Sequence, residues 1–391
     1  MPLRDARESP IVPTGVGACG HGPHKGLGQG AGVRLSVYGK AMRSEAGKGL
    51  TLISPTLLYA LLLLAAPLVS ILLLSFWTQQ FLTIDRDFTV TNYAEALTDP
   101  LYRALMLRSL RISGMVTLVT VVLAFPVAYY ISFHVRPERK SLWLFLITIP
   151  FWTSYLIRVF LWRVILAYDG PVNSGLMALG VIDAPLGWIL YNANAVVITL
   201  AHAFAPFAIL PIFVSLEKID RSLLEAARDL GESKAMTFLR VTLPLAMPGV
   251  LAAVLIVFIP TVGDYVTPRL VGGSGGTMIA NMIYAQIFDL NDRPMGATLA
   301  VLAMMIVAMV LLWGVSRLRF WLSLADRAGG GLRGGLLALG AALAEMIALR
   351  ALFVLGPTLI GSGAAVIVLL GLATAGSVLI LFRVPKGRWG I

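Results

Sequence analysis

Asp264 and Tyr265 stand side by side after Gly263, at the end of a long apolar run. A carboxylate beside a phenol can hold a cation, the first by charge and the second through its ring face. The competing reading of Asp264 is an interfacial aspartate that caps the following turn. Trp152 and Tyr155 place two more aromatic rings in the apolar run 141–166, where they serve either such a cation or packing and interfacial anchoring. His202 lies near the middle of another run, flanked by Pro206 and Pro211. Proline removes helical hydrogen bonds, and a helix broken near the membrane midplane is a common place for a substrate. A histidine hydrogen-bonded between packed helices is the alternative. Arg158 and Arg163 share the run of Trp152 and Tyr155. A cation on a cation's path is repulsive, so these two are expected to reach outward or to pair with an acid. Asp292 and Arg293 precede the last of six long apolar runs, as a solvated pair or as a contact for a partner.

Other chemistry has no residues to carry it. A phosphate loop needs G-x4-G-K-[ST], and Gly39-Lys40 and Gly47-Lys48-Gly49 lack the upstream glycine and the following hydroxyl. The chain is therefore not expected to hydrolyse ATP. It holds no HExxH and no Ser–His–Asp arrangement, and ionisable groups inside the apolar runs are scarce, against a membrane-embedded enzyme. Cys19 is the single cysteine, so neither an intrachain disulfide nor a cysteine-based metal site is available. The four histidines (His21, His24, His134, His202) are not paired at ligand spacing within a run. No cofactor or metal is expected on this chain.

The elements that must position these residues are membrane helices. The 391 residues are 58% hydrophobic and only 13% charged, with mean hydropathy +0.84, whereas soluble domains carry about 25% charged residues. Apolar runs at 53–77, 110–134, 141–166, 190–216, 246–264 and 295–317 are each long enough to span a bilayer as a helix. The fold class expected is all-α and polytopic, with six helices in the core. Two further runs, 335–355 and 358–382, add two possible C-terminal helices in an extension, 328–391. Glu345 and Arg350 weaken the first of these, and three readings of the extension stay open: genuine spans, the start of a fused sibling, or sequence past the true gene end. Residues 1–47 are Gly- and Pro-rich without an apolar period and are expected to be a disordered tail, partly an artefact of start-site choice before Met42.

The net charge is +11, but the basic residues lie mainly in short loops, where they orient spans rather than bind nucleic acid. Arg136, Arg139 and Lys140 follow the second run, and Lys218, Arg221, Arg228, Lys234 and Arg240 the fourth, whereas 168–188 holds no Lys or Arg. Positive-inside bias then puts 217–246 and both ends of the six-span core in the cytosol. Segments 78–109, 167–189 and 265–294 lie outside, the last re-entering or folding back at its glycine cluster 272–276.

The stretch 225–244 reads EAARDLGESKAMTFLRVTLP. Ser222 and Glu225 fit a capping box, with Asp220 upstream also favouring a helix start. Gly231 stops the first helix with a left-handed residue, and Ser233 caps a second running to about Val241, before Pro244 and Pro248 lead into the fifth span. A capped helix–turn–helix between two spans is a surface for a cytosolic partner, unlike an ordinary solvated loop.

Glu225-Ala226-Ala227, Gly231 four residues beyond Ala227, and Val241-Thr242-Leu243-Pro244 resemble the EAA motif of ABC importer permeases, E-A-A-x3-G-x9-I-x-L-P, with Val241 where isoleucine is usual. Over about 50–325, PFWTSYLIR (150–158), LLEAARDLG (223–231), PLAMPGVLA (244–252), GDYVTPRLVGG (263–273) and DRPMGATLA (292–300) are similar to polyamine permeases of the spermidine/putrescine type, and 150–250 looks closest to the first of their two permease subunits. The resemblance implies a type I importer permease domain over 48–325 in the bacterial inner membrane, with the N-terminus cytoplasmic. It implies coupling to a cytosolic ATPase dimer through Glu225, Ala226, Ala227, Gly231, Val241, Leu243 and Pro244, the ATP being used by that partner. It also implies a second permease subunit, completing a heterodimer, and an extracytoplasmic solute-binding protein. Polyamines are flexible polycations, which suits Asp264 and Tyr265. Another small solute (an amine, an opine, a metal or organic ion) and, further off, a scaffold or sensor role are the alternatives.

Overall fold

The computed structural model describes residues 53–81 and 83–327. The tail 1–47 and the extension 328–391 lie outside the described residues. By internal contacts the chain divides into two units, Met1–Pro67 and Leu68–Ile391. What is described of the first belongs to α1 (Ile53–Leu74), an apolar helix with no buried residue.

The second unit is all-α among its described residues apart from a hairpin of two three-residue strands, β1 (Thr78–Gln80) and β2 (Thr83–Asp85), with Thr78 opposite Asp85. Helix α2 (Thr91–Thr98) leads into α3 (Pro100–Phe133). Helix α3 starts ten residues before the expected 110, because Asp99 accepts a hydrogen bond from the Leu101 amide and Pro100 occupies the first turn, where its missing N–H costs nothing. At 34 residues it is about 51 Å long, well beyond the roughly 30 Å of a hydrocarbon core.

The third apolar run is not one continuous helix. It forms α4 (Pro137–Thr148), a 3₁₀ turn (Ile149–Trp152) and α5 (Tyr155–Ile165), bent by 87°. Pro150 cannot donate to the carbonyl of Leu146, so the helix tightens and stops. Thr153 is extended (φ −82°, ψ 148°), and its hydroxyl donates to the Pro150 carbonyl at 2.7 Å. By contrast α7 (Ala193–Glu217), which follows α6 (Pro171–Ala178), runs unbroken through Pro206 and Pro211. Packing against α3 and against α10 (Leu243–Val262) holds it straight enough to remain one helix. Counting the bent pair as one, six described helical segments are long and apolar enough to cross a membrane.

The core is the three-helix contact of α3, α7 and α10. Val116 and Ile131 of α3, Leu200, Ile212 and Leu216 of α7, and Val257 of α10 are fully buried there. Gly249 permits the α7–α10 crossing: a Cβ on it would stand 2.5 Å from both the Pro211 carbonyl oxygen and the Ser215 Cβ.

After α10 the chain passes through a π turn (Pro268–Gly272), α11 (Gly273–Gly276), α12 (Ile279–Tyr284) and a second π turn (Ala285–Asp289) to α13 (Arg293–Arg327). This segment folds back onto the start of α3. The Ile279 amide donates to Ser109 Oγ at 2.7 Å, Gln286 Nε2 to Tyr102 Oη at 2.9 Å, and Arg108 Nη1 to the Ser274 carbonyl at 3.0 Å. Tyr102, Leu105, Met106, Ile279, Met295 and Leu299 form a second apolar cluster beneath it. The loop 217–246 and this segment thus occupy opposite ends of α10.

Candidate functional site

The charged loop is built from backbone outward. Helix α8 (Arg221–Asp229) is capped by Asp220, whose carboxylate accepts from the Ser222 amide at 3.0 Å. The expected Ser222–Glu225 capping box is not formed: the cap lies two residues earlier, at Asp220, whose side chain sits at the extended cap position. The Ser222 amide bond holds the Asp220 carboxyl below its ordinary range. The helix ends in a complete Schellman motif: the Gly231 amide donates to the Arg228 carbonyl at 2.8 Å and the Glu232 amide to the Ala227 carbonyl at 3.1 Å. Gly231 has φ +86°, a left-handed conformation that suits glycine.

Ser233 caps the next helix, α9 (Lys234–Thr237), accepting from the Met236 amide at 3.3 Å. Here too expectation needs correcting, because the helical path does not end near Val241. It passes through a π turn (Phe238–Thr242) straight into α10, giving one helical rod, Lys234–Val262. The Leu243 amide reaches back to the Phe238 carbonyl, and this wider turn accommodates Pro244, which has no amide to give. Val241, Leu243 and Pro244 are half-buried in this junction, while Glu225, Ala226 and Gly231 are exposed and Ala227 half-buried.

The loop is gripped by the membrane domain. Leu224 is buried in the main core. Arg221 Nη2 donates to the Ser132 carbonyl at 2.7 Å and its guanidinium lies 4.9 Å from the Phe133 ring centre. Glu217 Oε1 meets Ser132 Oγ and Lys140 Nζ, each at 2.6 Å. Phe238 packs edge-on against Phe125 and Tyr129, and Arg240 pairs with Glu232 across the turn. Outward, Leu223, Leu230 and Leu239 are exposed. The result is a stiff element joined to α3, α7 and α10, with apolar side chains facing away from the core. Lys140 was read from the sequence only as an orienting charge, and Ser132 and Glu217 were not singled out; an acid at the end of an apolar run, opposite a basic loop, was the available signal.

At the other end of α10, two of the sequence candidates meet. Tyr155 Oη donates to Asp264 Oδ2 at 2.8 Å and lies 2.7 Å from Thr267 Oγ1. Asp264 Oδ1 accepts from the amides of Val266 (3.0 Å) and Thr267 (3.4 Å), so the carboxylate also caps the turn after it. Tyr265 turns the other way and stacks on Tyr284, centroids 5.2 Å apart at 10°. Trp152 is 81% exposed and joins neither group. His202 is held between helices, accepting from Trp162 Nε1 at 3.1 Å through Nδ1.

Arg158 neither reaches outward nor pairs with an acid, contrary to expectation. It is buried, its Nη1 donates to the Ala203 carbonyl at 3.5 Å, and its guanidinium lies 5.9 Å from the Phe151 ring centre. It lies in the first turn of α5, after the 87° bend, on the side that contacts α7. Asp292 and Arg293 do not form a pair either: Asp292 Oδ1 caps α13 through the Met295 amide at 3.0 Å. Among the described residues no group of three metal-ligating side chains occurs.

Residues 117–320 match the family described as "Binding-protein-dependent transport system inner membrane component". The spermidine/putrescine transport system permease protein PotB of Salmonella typhimurium is 41% identical over 234 residues, covering 59% of this chain and 80% of that protein. PotB of Escherichia coli K12 is 40% identical, covering 59% and 84%. The inner membrane ABC transporter permease protein YdcU of E. coli K12 is 32% identical, covering 61% and 81%. Among solved structures, a bacterial ABC transporter involved in import of the acidic polysaccharide alginate superposes with TM-score 0.53 at 15% identity, over 71% of this chain and 96% of that one. The likeness to that structure concerns the fold alone.

Proposed function

We infer the function from a premise the comparisons supply: the chain belongs to the family of binding-protein-dependent transport system inner membrane components, and it is an ABC importer permease subunit. Its substrates, on our reading, are polyamines of the spermidine and putrescine class. The observation that carries the substrate reading is the Tyr155–Asp264 pair. It places a carboxylate whose one oxygen is shared with a phenol at the end of α10 remote from the coupling loop, where an ammonium group of the substrate meets a negative charge.

The mechanism proposed is alternating access. A solute-binding protein delivers the polyamine to the end bearing Asp264. A cytosolic ATPase dimer docks on α8 and the exposed Leu223, Leu230 and Leu239. When ATP draws the ATPase subunits together, α8 moves with them. Arg221 and Leu224 pass that motion to α3 and the core, and the continuous rod Lys234–Val262 passes it along α10 to Asp264. A second permease subunit closes the pathway on the side left open by this chain. Trp152 and His202 belong to the pathway only if the second subunit brings substrate past them.

The test is uptake of labelled spermidine and putrescine by cells expressing the complete transporter. Saturable, ATP-dependent uptake is expected. An assembled wild-type complex that takes up neither amine would refute the substrate reading and leave the family unaffected.

A further inference from the structure

A second set of aromatic and charged groups lies beyond Asp264, in the segment between α10 and α13. The two π turns and α12 enclose a cleft of about 310 Å³ lined by Pro268, Arg269, Thr277, Asn281, Tyr284 and Asp289, among others, a volume at the lower end of small-molecule sites. One lining ring, Tyr284, is the middle of a row of three: it stacks on Tyr265, and its centre lies 4.8 Å from that of Phe288. Asn281 fixes their spacing, because its Nδ2 donates to the Tyr265 carbonyl at 2.8 Å while its Oδ1 accepts from the Met278 amide at 3.0 Å.

The Tyr284 ring already carries a cation. The Arg269 guanidinium carbon lies 5.0 Å from its centre, within the range where a cation is drawn to a ring face. Arg269 and Asp289 line the same cleft, yet they form no ion pair with one another. Both are exposed. The cleft therefore offers a ring face occupied by a side-chain cation and a carboxylate that this cation does not neutralise. Tyr265, stacked on the lining Tyr284, is the sequence neighbour of Asp264.

We propose that this cleft is a receiving site for an aliphatic polyammonium chain, in which one ammonium group meets Asp289 and another displaces Arg269 from the ring of Tyr284. The proposal rests on the polyamine reading and on the orientation that puts 265–294 outside. Arg269 acts as a resident cation. It keeps the aromatic face covered while the site is empty and leaves by rotation of its own exposed side chain, so that entry of the substrate breaks no structural contact. The next carboxylate inward is Asp264, and the substrate is handed from one acid to the other past the Tyr265 ring.

The resident-cation role gives the test an unusual sign. Spermidine is titrated onto the complete, nucleotide-free transporter in lipid nanodiscs and binding is followed by calorimetry. Tyr284→Ala and Asp289→Asn are each expected to weaken binding by about fivefold, within the range of an exposed cation–π or charge-assisted contact. Arg269→Gln is expected to tighten it by about threefold, because a competing cation is gone, whereas Arg269→Lys stays near wild type. Binding that is unchanged or weakened in Arg269→Gln, with Arg269→Lys normal, overturns the proposal. So does wild-type binding in both Tyr284→Ala and Asp289→Asn. If the wild-type transporter imports spermidine while these results go against the cleft, the cleft alone is refuted. If it imports none, the substrate reading on which the cleft rests is refuted.

Discussion

Replacing Gly231 probes the coupling loop at the one position where backbone conformation alone decides the outcome. Gly231 sits at φ +86° with nothing within 4 Å of the place a Cβ would take. A substitution there meets no steric clash, so its effect is the conformational penalty of the left-handed region, about 1–2 kcal/mol for an ordinary residue. Valine exceeds alanine because its branched Cβ crowds the backbone further, and asparagine falls below both because it tolerates this region. If the turn opens, the Schellman bonds from the Gly231 and Glu232 amides are also lost, each with a net worth of about 1 kcal/mol. A penalty of about 2 kcal/mol lowers the population of the docking-competent turn by up to about 30-fold. Leu224 and Arg221 still anchor the loop to the core and to α3, so the protein remains in the membrane. The assay is the initial rate of labelled spermidine uptake, normalised to membrane-inserted protein, for Gly231→Asn, Gly231→Ala and Gly231→Val. The rates are expected to fall in that order, with valine near zero. Equal rates for asparagine and valine at equal protein levels would refute the argument, since the left-handed turn would then be irrelevant to coupling.

Other contacts give three more expected outcomes. Asp264→Asn is expected to raise the polyamine concentration for half-maximal uptake or to abolish uptake, and Tyr155→Phe, which removes the hydrogen bonds to Asp264 and Thr267, each worth about 1 kcal/mol, but leaves the carboxylate, to produce a milder shift of the same kind; concentration-dependent uptake reads both. Gly249→Ala places a Cβ 2.5 Å from the Pro211 carbonyl and Ser215 Cβ, and is expected to destabilise the α7–α10 crossing by about 1–3 kcal/mol, seen as a lower melting temperature of the purified protein, with Gly114→Ala, where a Cβ meets nothing within 4 Å, as a control that does not lower it. The Asp220 carboxyl lies below its ordinary value of 3.8 because of the Ser222 amide, so its contribution to α8 is present at neutral pH and is lost as pH falls through the lowered value. Amide exchange in the first turn of α8, corrected for the intrinsic pH dependence, should show protection fading below that value in the wild type and no such pH dependence in Asp220→Asn, which keeps the cap acceptor without the charge.

Much of this protein was legible in its residues because membrane helices and helix caps are local. Long apolar runs must satisfy their own backbone in lipid, and six of them announced an all-α membrane fold. Gly231 and Ser233 named their roles through properties that need no neighbour: a glycine tolerates a positive φ and a serine hydroxyl reaches an amide three residues on. What lay beyond the sequence was everything set by competition between elements. Pro150 broke its run whereas Pro206 and Pro211 did not, since α7 is packed between α3 and α10 and α4–α5 is not. Pro244 sat inside a continuous rod because a π turn absorbed it. Arg158 turned inward once its helix had bent, and Tyr155 met Asp264 across 109 residues of chain. The types of residue that could hold a cation were written in the sequence; which of them stand together was decided by the fold, because side chains remote in sequence become neighbours only after the helices between them have chosen how to pack.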